Sequence, residues 1–247
     1  MTLAPKRLLL DIETFPHLVY AWGLWSQDIY IDRIVEPGRT FCMAAKWYGK
    51  NKVYFFNFDE DPDQINMAYE LLSEADMVIH YNGTRFDMPH LQTAFLNAGL
   101  PPMPKIPQID LLQTARREFK FASNKLDYVS QSLGLESKVQ HKGFELWREC
   151  MHGDPKAWAL MKKYNVQDVR MMEPLYEKLL PYIKNHPNLG LFTNTELRAC
   201  PNCAGNNLQK RGFSRTRVSV FQRFQCQDCG TWSRSRKSEK PKEGVLT

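Results

Sequence analysis

The chain has 247 residues, of which 43% are hydrophobic and 24% charged, with a formal net charge of +6. This length is enough for one α/β domain with a buried core and a small appendage. No run of about 18 apolar residues is present, which argues against a membrane-spanning helix. The N-terminus lacks the long apolar region of a signal peptide, so we expect a cytoplasmic protein of a bacterium or a virus-infected cell.

The positive charge is concentrated near the C-terminus. From Arg198 onward the chain has eleven basic and three acidic residues, so this segment carries +8 and residues 1–197 carry −2. A compact basic segment favours a polyanionic partner such as nucleic acid. A solubilising tail is the alternative interpretation.

Short apolar runs bounded by turn residues predict the strands. Residues 49–51, Gly-Lys-Asn, separate two of these runs and indicate a connection of hairpin length. The predicted strands cover residues 7–13, 18–25, 41–48, 53–58 and 77–80.

Further along the chain, the period of the apolar residues changes to that of a helix. Gly99 and Gly134 follow two of these periodic segments and indicate helix ends. Together with the strands, the helices predict a central sheet flanked by helices. The predicted helices cover residues 62–72, 87–98, 111–119, 126–133 and 155–180, the last with a candidate kink at Pro174.

Two carboxylates stand two residues apart on the first predicted strand. Asp11 and Glu13 therefore leave the same face of that strand. Carboxylates held together on an otherwise apolar strand repel each other and lose hydration, and a hard divalent cation relieves both penalties. Because Mg²⁺ and Mn²⁺ prefer oxygen ligands, the pair is a candidate metal site. An exposed strand end is the other interpretation.

Two further positions have both a functional and a structural interpretation. Asp87 follows a short buried strand, where it either serves a site or caps a helix N-terminus. Tyr164 and Asp168 lie four residues apart on the last predicted helix and so share one face. They form either part of a site or a surface hydrogen bond.

Taken together, these elements follow the order Asp-x-Glu, Asn-x-x-x-Phe-Asp and Tyr-x-x-x-Asp. This order resembles the three motifs of the DEDD exonuclease superfamily. The tyrosine four residues before the last aspartate resembles the DEDDy branch, which includes the proofreading domains of family A and family B DNA polymerases. The resemblance covers roughly residues 6–180 and implies a ribonuclease-H-like fold, an α/β architecture with a mixed five-stranded sheet flanked by helices.

The resemblance also implies an activity with two catalytic Mg²⁺ or Mn²⁺ ions. Asp11 would bridge both ions, Glu13 and Asp168 would complete the site of the attacking water, and Asp87 would support the second ion. Tyr164 would orient the water. The expected reaction is 3′→5′ hydrolysis of single-stranded DNA ends to nucleoside 5′-monophosphates, in replication, proofreading or repair.

Substrate contacts are carried over from the same resemblance. For Asn124 and Lys125, the alternative to a substrate contact is that they form the start of a helix. Asp110 can cap the helix that follows it. The candidate substrate-binding residues are Thr14, Phe15, Asn82, Asn124 and Lys125.

Near the C-terminus, two Cys-x-x-Cys pairs are separated by 22 residues. Four thiolates suit tetrahedral Zn²⁺ in a closed structural site, and residues 218–225 alternate as a strand does. The segment resembles zinc ribbons of transposase-associated and phage nucleic-acid proteins. So small a unit buries little apolar surface, and metal binding would supply most of its folding energy. The predicted ligands of one structural Zn²⁺ are Cys200, Cys203, Cys226 and Cys229.

These observations predict a division of the chain and a set of partners. We expect an exonuclease domain over 1–184, a linker over 185–197, a zinc ribbon over 198–236 and a basic tail over 237–247. The expected partners are nucleic acid, with DNA favoured, and a replicative polymerase or other replication protein, without a membrane. A structure-specific endonuclease or ribonuclease, or a non-catalytic nucleic-acid-binding adaptor, are the alternative functions.

Overall fold

The computed structural model describes residues 4–25, 28–135, 142–193 and 197–239. In chain order the strands are β1 (Arg7–Thr14), β2 (Leu18–Val19), β3 (Ile34–Glu36), β4 (Thr40–Trp47), β5 (Val53–Asn57), β6 (Met77–His80), β7 (Gln108–Asp110), β8 (Leu208–Arg215), β9 (Val220–Cys226) and β10 (Trp232–Arg234). The α-helices are α1 (Gln64–Ser73), α2 (Asp87–Asn97), α3 (Leu111–Glu118), α4 (Leu126–Ser132), α5 (Glu145–Met151) and α6 (Pro155–Leu179).

The central sheet has five strands in the order β5-β4-β1-β6-β7. β1 pairs antiparallel with β4, and β4 with β5, whereas β1–β6 and β6–β7 are parallel. The sheet is therefore mixed, and helices cover both of its faces. This confirms the predicted α/β class with a mixed five-stranded sheet flanked by helices.

The alternation of residues along β1 separates the two halves of the core. Leu8, Leu10 and Ile12 pack with α1 and α2 on one face of the sheet. Leu9 packs on the other face, in the cluster that contains the buried residues of α6. Side chains two residues apart leave the same face of a strand. Asp11 and Glu13 therefore share the face of Leu9 and point toward α6.

Several element predictions need correction. The strand predicted over 18–25 ends at Val19, and the aromatic residues after it are exposed, with 90% of Trp22 accessible. Apolar composition had indicated burial there, but β2 lies outside the central sheet and pairs only with β3, in a separate two-stranded sheet. The sequence patterns also missed β3, β7 and α5. The helix predicted over 155–180 is confirmed as α6, and it continues through Pro174.

The described part of the segment predicted as a linker packs against the core. Leu189 belongs to the cluster that contains Leu9, and the hydroxyl of Tyr176 lies 2.7 Å from Nε2 of the buried His186. The division of the chain into domains itself stays a prediction. Among the described helices, none has the length and apolar composition needed to cross a bilayer.

Candidate active site and cysteine cluster

Three carboxylates meet where β1 faces α6. One oxygen each of Asp11, Glu13 and Asp168 lie within 4.8 Å of one another. Two come from adjacent same-face positions of β1, and Asp168 is a buried residue of α6. The structure thus brings together residues that lie far apart in the sequence. Groups of like charge at this separation favour a bound cation.

Tyr164 lies one helical turn before Asp168 on α6. Its side chain is buried, and its ring meets Trp147 of α5 edge-on with 6.0 Å between centroids. Residues four apart on a helix lie on the same face, so Tyr164 lies on the face of α6 that carries Asp168. The interpretation of Tyr164 and Asp168 as a surface pair is wrong, since both are buried.

Asn165 is a residue of this site that the sequence patterns did not reveal. Its side-chain amide donates a hydrogen bond of 2.8 Å to Oδ2 of Asp11, and its accessible surface is 0%. The spacing of three from Asp168 places it on the same helix face. That spacing was the available signal, but an asparagine inside a helix carries no signature of its own.

Asp87 supports the site through the backbone of β1. It is the first residue of α2, and its Oδ1 accepts a hydrogen bond of 3.1 Å from the backbone N–H of Ile12. Ile12 lies between Asp11 and Glu13, so Asp87 holds the strand that carries them. Asp87 is 3% exposed, and burial raises the pKa of its carboxyl group to about 7. Asp87 does not belong to the group of three carboxylates.

The loop between β6 and α2 is held by two side chains. Nδ1 of His80 accepts from the N–H of Gly83 at 3.0 Å, and Oδ1 of Asp110 accepts from the N–H of Asn82 at 3.0 Å. Asn82 has a positive φ of 75°. A Cβ atom on Gly83 would collide with the imidazole ring of His80, so this position requires glycine. These contacts therefore fix the backbone conformation of the loop that leads to Asp87.

Asp110 has the capping role that its position predicted. Its Oδ1 also accepts from the backbone N–H groups of Leu112 and Gln113, at 3.0 and 3.3 Å. These bonds satisfy the first free N–H groups of α3. One carboxylate thus organises both the start of α3 and the loop at Asn82.

The other predicted substrate-binding residues lie in different environments. Thr14 ends β1 at a register shift, and the side chain of Lys125 is exposed at the N-cap of α4. Oδ1 of Asn124 is buried and has no hydrogen-bond partner among the described residues, and its backbone carbonyl accepts from the hydroxyl of Tyr81 at 2.8 Å. An unsatisfied acceptor of this kind is available to a ligand donor.

Phe15 is buried, whereas its predicted contact with substrate requires an accessible side chain. Its ring is 2% exposed and stacks on Phe41 with 3.9 Å between centroids. The guanidinium of Arg39 lies 4.9 Å from the same ring. In this conformation Phe15 is a core residue behind the end of β1. Its alternation on the strand could not reveal this, because β1 ends one residue earlier.

A second group of ligand atoms lies in the C-terminal region, residues 197–239. The four sulfur atoms lie within 4.8 Å of one another, with 3.6 Å between Cys200 and Cys229 and 3.6 Å between Cys203 and Cys226. All four are free thiols. Four converging thiols without a disulfide are consistent with a zinc ribbon. β8, β9 and β10 form an antiparallel sheet beside them, in the order β10-β9-β8.

The first cysteine pair is docked onto the end of α6. Asn202, between Cys200 and Cys203, donates both side-chain hydrogen bonds to backbone carbonyls, at 2.8 Å to Leu180 and 3.1 Å to Ile183. Asn202 is buried, so these bonds lie in a low-dielectric environment. The cysteine cluster is thereby attached to the part of the chain that carries Tyr164 and Asp168.

Comparison with known proteins assigns the fold. The sequence model of the RNase H superfamily matches residues 35–180, more than half of the chain. The protein therefore belongs to the RNase H superfamily, and its five-stranded mixed sheet is RNase H-like. The matched range includes Asp87, Tyr164 and Asp168 and begins after Asp11 and Glu13.

A solved structure shows the same fold. The family B DNA polymerase from the hyperthermophilic archaeon Pyrobaculum calidifontis is similar with a TM-score of 0.54 and 22% sequence identity. The similarity covers 72% of this chain and 25% of the polymerase, so the chain corresponds to about a quarter of that protein. No curated protein matches the chain.

Proposed function

We propose that this protein is a DEDDy-type, metal-dependent 3′→5′ exonuclease that releases nucleoside 5′-monophosphates from single-stranded DNA ends. The observation that carries the proposal is the meeting of Asp11, Glu13 and Asp168 within 4.8 Å. Tyr164, one turn before Asp168, supports the DEDDy type. The RNase H superfamily membership supports a nuclease, and nucleases act on nucleic acid.

The donor set of the site fits hard divalent cations. Asp11, Glu13 and Asp168 offer carboxylate oxygens, which Mg²⁺ and Mn²⁺ prefer over nitrogen or sulfur ligands. Asp11, Glu13 and Asp168 would hold the cations, and Asp87 would support the second one. Two such ions, when bound, lower the pKa of the attacking water and stabilise the negative charge that develops on the phosphate.

The protein's own groups position the reactants. A bond forms between the oxygen of water and the phosphorus of the last phosphodiester, and the bond from phosphorus to the 3′-oxygen of the preceding nucleotide breaks. The attacking water gives up one proton to the solvent, and the departing 3′-oxygen takes one up from the solvent. Tyr164 orients the water through its hydroxyl, which can both donate and accept a hydrogen bond. Thr14, Asn82, Asn124 and Lys125 are the proposed substrate contacts, and the buried Phe15 supports the end of β1 from the core.

The four cysteines are proposed to bind one structural Zn²⁺ in a ribbon over 198–236. The convergence of four free thiols supports this. The rest of the chain is proposed to consist of an exonuclease domain over 1–184, a linker over 185–197 and a basic tail over 237–247. The proposed setting is the cytoplasm, with a replicative polymerase or another replication protein as a partner.

The test is an end-labelled cleavage assay. Single-stranded DNA and RNA with a 5′ label are incubated with the protein and Mg²⁺, Mn²⁺ or EDTA. We expect a metal-dependent ladder that shortens from the 3′ end and is more extensive on DNA. The Asp11→Ala/Asp168→Ala double variant should abolish it, whereas Asp63→Ala, an exposed aspartate before α1, should not.

Other results would point to the alternative functions. Internal cuts would indicate a structure-specific endonuclease. A faster reaction on RNA than on DNA would indicate a ribonuclease. Tight binding without any cleavage would indicate the adaptor. Internal cuts or binding without cleavage would overturn the exonuclease activity, and a faster 3′→5′ reaction on RNA would overturn the proposed DNA substrate.

A further inference from the structure

The three-stranded sheet of the C-terminal region has two chemically different faces. Side chains alternate along a strand, and residues directly opposite each other in an antiparallel pair point to the same side. Phe224 and Cys226 of β9 are buried, so their side of the sheet faces the cysteine cluster. The opposite side is here called the outer face, and it carries Phe221, Arg223, Trp232 and Arg234.

On the outer face, each arginine lies over an aromatic ring of the neighbouring strand. The guanidinium of Arg234 is 4.0 Å from the ring centroid of Phe221, and that of Arg223 is 4.9 Å from the ring centroid of Trp232. These are diagonal pairs, because Arg223 and Arg234 stand directly opposite each other in the register. The result is an alternation of two cations and two rings across β9 and β10.

The two arginines form a like-charge pair. Like charges directly opposite in a sheet destabilise it. Among the described residues, no acidic side chain forms a salt bridge with Arg223 or Arg234. The surrounding chain adds to the positive field, since residues from Arg198 onward carry +8. An anionic ligand would relieve this repulsion.

The outer face is also accessible and partly ordered in advance. Trp232 is 50% exposed, and both arginines are exposed. Nε of Arg223 donates a hydrogen bond of 2.9 Å to the backbone carbonyl of Arg211, which fixes the direction of its guanidinium. A side chain held in this way loses less entropy when a ligand binds.

We infer that the outer face is a binding site for single-stranded nucleic acid, separate from the three carboxylates. Phosphates pair with Arg223 and Arg234, and unpaired bases stack on Trp232 and Phe221. Aromatic rings interleaved with arginine suit a single strand, because its bases are free to stack. This inference goes beyond the proposed function, since binding at the outer face requires no cleavage.

The position of the C-terminal region gives this site a distinct role. The cysteine pair docks at Leu180, twelve residues beyond Asp168 along α6 and the turn that follows it. At 1.5 Å per residue, that separation is about 18 Å. The outer face therefore holds a strand at a distance from the carboxylates, and it should assist long substrates and leave very short ones unaffected.

The first experiment measures binding without cleavage. Fluorescence anisotropy of labelled single-stranded DNA is recorded with the Asp11→Ala/Asp168→Ala full chain over a series of NaCl concentrations. Adding Arg223→Ala/Arg234→Ala should weaken binding at least about tenfold and make the log–log salt slope shallower by about 1.4, the value for two phosphate contacts. Trp232→Ala should weaken binding at least about fivefold with little change of slope, because stacking is insensitive to salt.

Two further variants distinguish a specific effect of the outer face on binding from the effect of positive charge in general. Controls on folding accompany them. Arg215→Ala/Arg217→Ala removes the same two charges from the same region, away from the outer face, and should change affinity by no more than about twofold. Arg223→Lys/Arg234→Lys keeps the charge and should retain most of the salt slope. Thermal unfolding and zinc content of each variant show whether the C-terminal region remains folded.

Three results would contradict the assignment of the outer face as a site for single-stranded nucleic acid. Equal losses in the two double-alanine variants, or unchanged affinity in both, would overturn the assignment. Tighter binding of an acidic peptide or of duplex DNA than of the single strand would overturn it as well. Because the background variant cannot cleave, these results stay separate from those of the cleavage assay.

Discussion

At the scale of single residues, the candidate site depends on a neutral donor as much as on its carboxylates. Asp11 is close to both Glu13 and Asp168, and ionised carboxylates at that distance repel each other. The amide of Asn165 donates to Asp11 without adding charge, and it does so from a fully buried position. This hydrogen bond fixes the orientation of the Asp11 carboxylate.

The first prediction concerns this residue. Asn165→Ala removes the donor to Asp11, and we expect the Mg²⁺ concentration for half-maximal cleavage to rise about tenfold or more. Asn97→Ala, at an exposed position of α2, is the matched control and should behave as the wild type. The measurement is a Mg²⁺ titration of cleavage beside thermal unfolding. A lower unfolding midpoint with an unchanged Mg²⁺ requirement would show that Asn165 serves stability alone.

At the scale of secondary-structure elements, two helices begin with the same cap but in different surroundings. Asp110 caps α3 and Asp154 caps α6, each by accepting from two backbone N–H groups. Asp110 additionally accepts from the N–H of Asn82, in the loop that leads to Asp87. The two caps thus allow the effect of a lost cap to be separated from the effect on the site.

The second prediction uses this pair. Asp110→Ala and Asp154→Ala should each lower the free energy of unfolding by roughly 0.5–2 kcal/mol, the usual value of a cap. Asp110→Ala should also reduce the cleavage rate of the folded protein several-fold, because the loop at Asn82 loses its anchor. Chemical denaturation and single-turnover cleavage are the measurements. Similar cleavage rates in the two variants would refute a role of Asp110 beyond capping.

At the scale of the whole molecule, the C-terminal region is attached to the nuclease fold by specific contacts. Asn202 donates to the carbonyls of Leu180 and Ile183, and the N–H of Leu189 donates to the carbonyl of Pro201 at 2.7 Å. Cys203 and Cys229 also pack against the core cluster that contains Leu9. Both parts should therefore unfold together.

The third prediction tests this coupling. Asn202→Ala removes two hydrogen bonds to backbone carbonyls, of which that of Leu180 keeps the N–H of Ile183 as a donor, and we expect the free energy of unfolding to fall by about 1–3 kcal/mol. The four thiols are unchanged, so bound zinc should remain at the wild-type ratio. Asn206→Ala, which is exposed in the same region, is the control. Unchanged stability in Asn202→Ala would mean that the two parts are energetically independent.

Much of the site followed from the sequence because its rules are local. Strand alternation put Asp11 and Glu13 on one face, helical spacing put Tyr164 one turn from Asp168, and the spacing of the cysteine pairs indicated four converging thiols. The order of strands and helices indicated a central sheet flanked by helices, and the resemblance of the motifs implied the RNase H-like fold. Each of these features depends on residues within a few positions of each other, or on motifs whose order along the chain is typical of one fold.

The tertiary structure decided the features that depend on distant neighbours. The donation from Asn165 to Asp11 joins positions 154 apart, and no periodicity encodes it. The burial of Phe15 contradicts the substrate contact that the family resemblance implied, and the exposure of Trp22 contradicts its apolar local pattern. Packing with distant parts of the chain determines burial in both cases. The outer face, too, exists only once the register of β9 and β10 places Arg223 opposite Arg234. Local periodicity specifies which way a side chain points, and the packed fold specifies what it meets there.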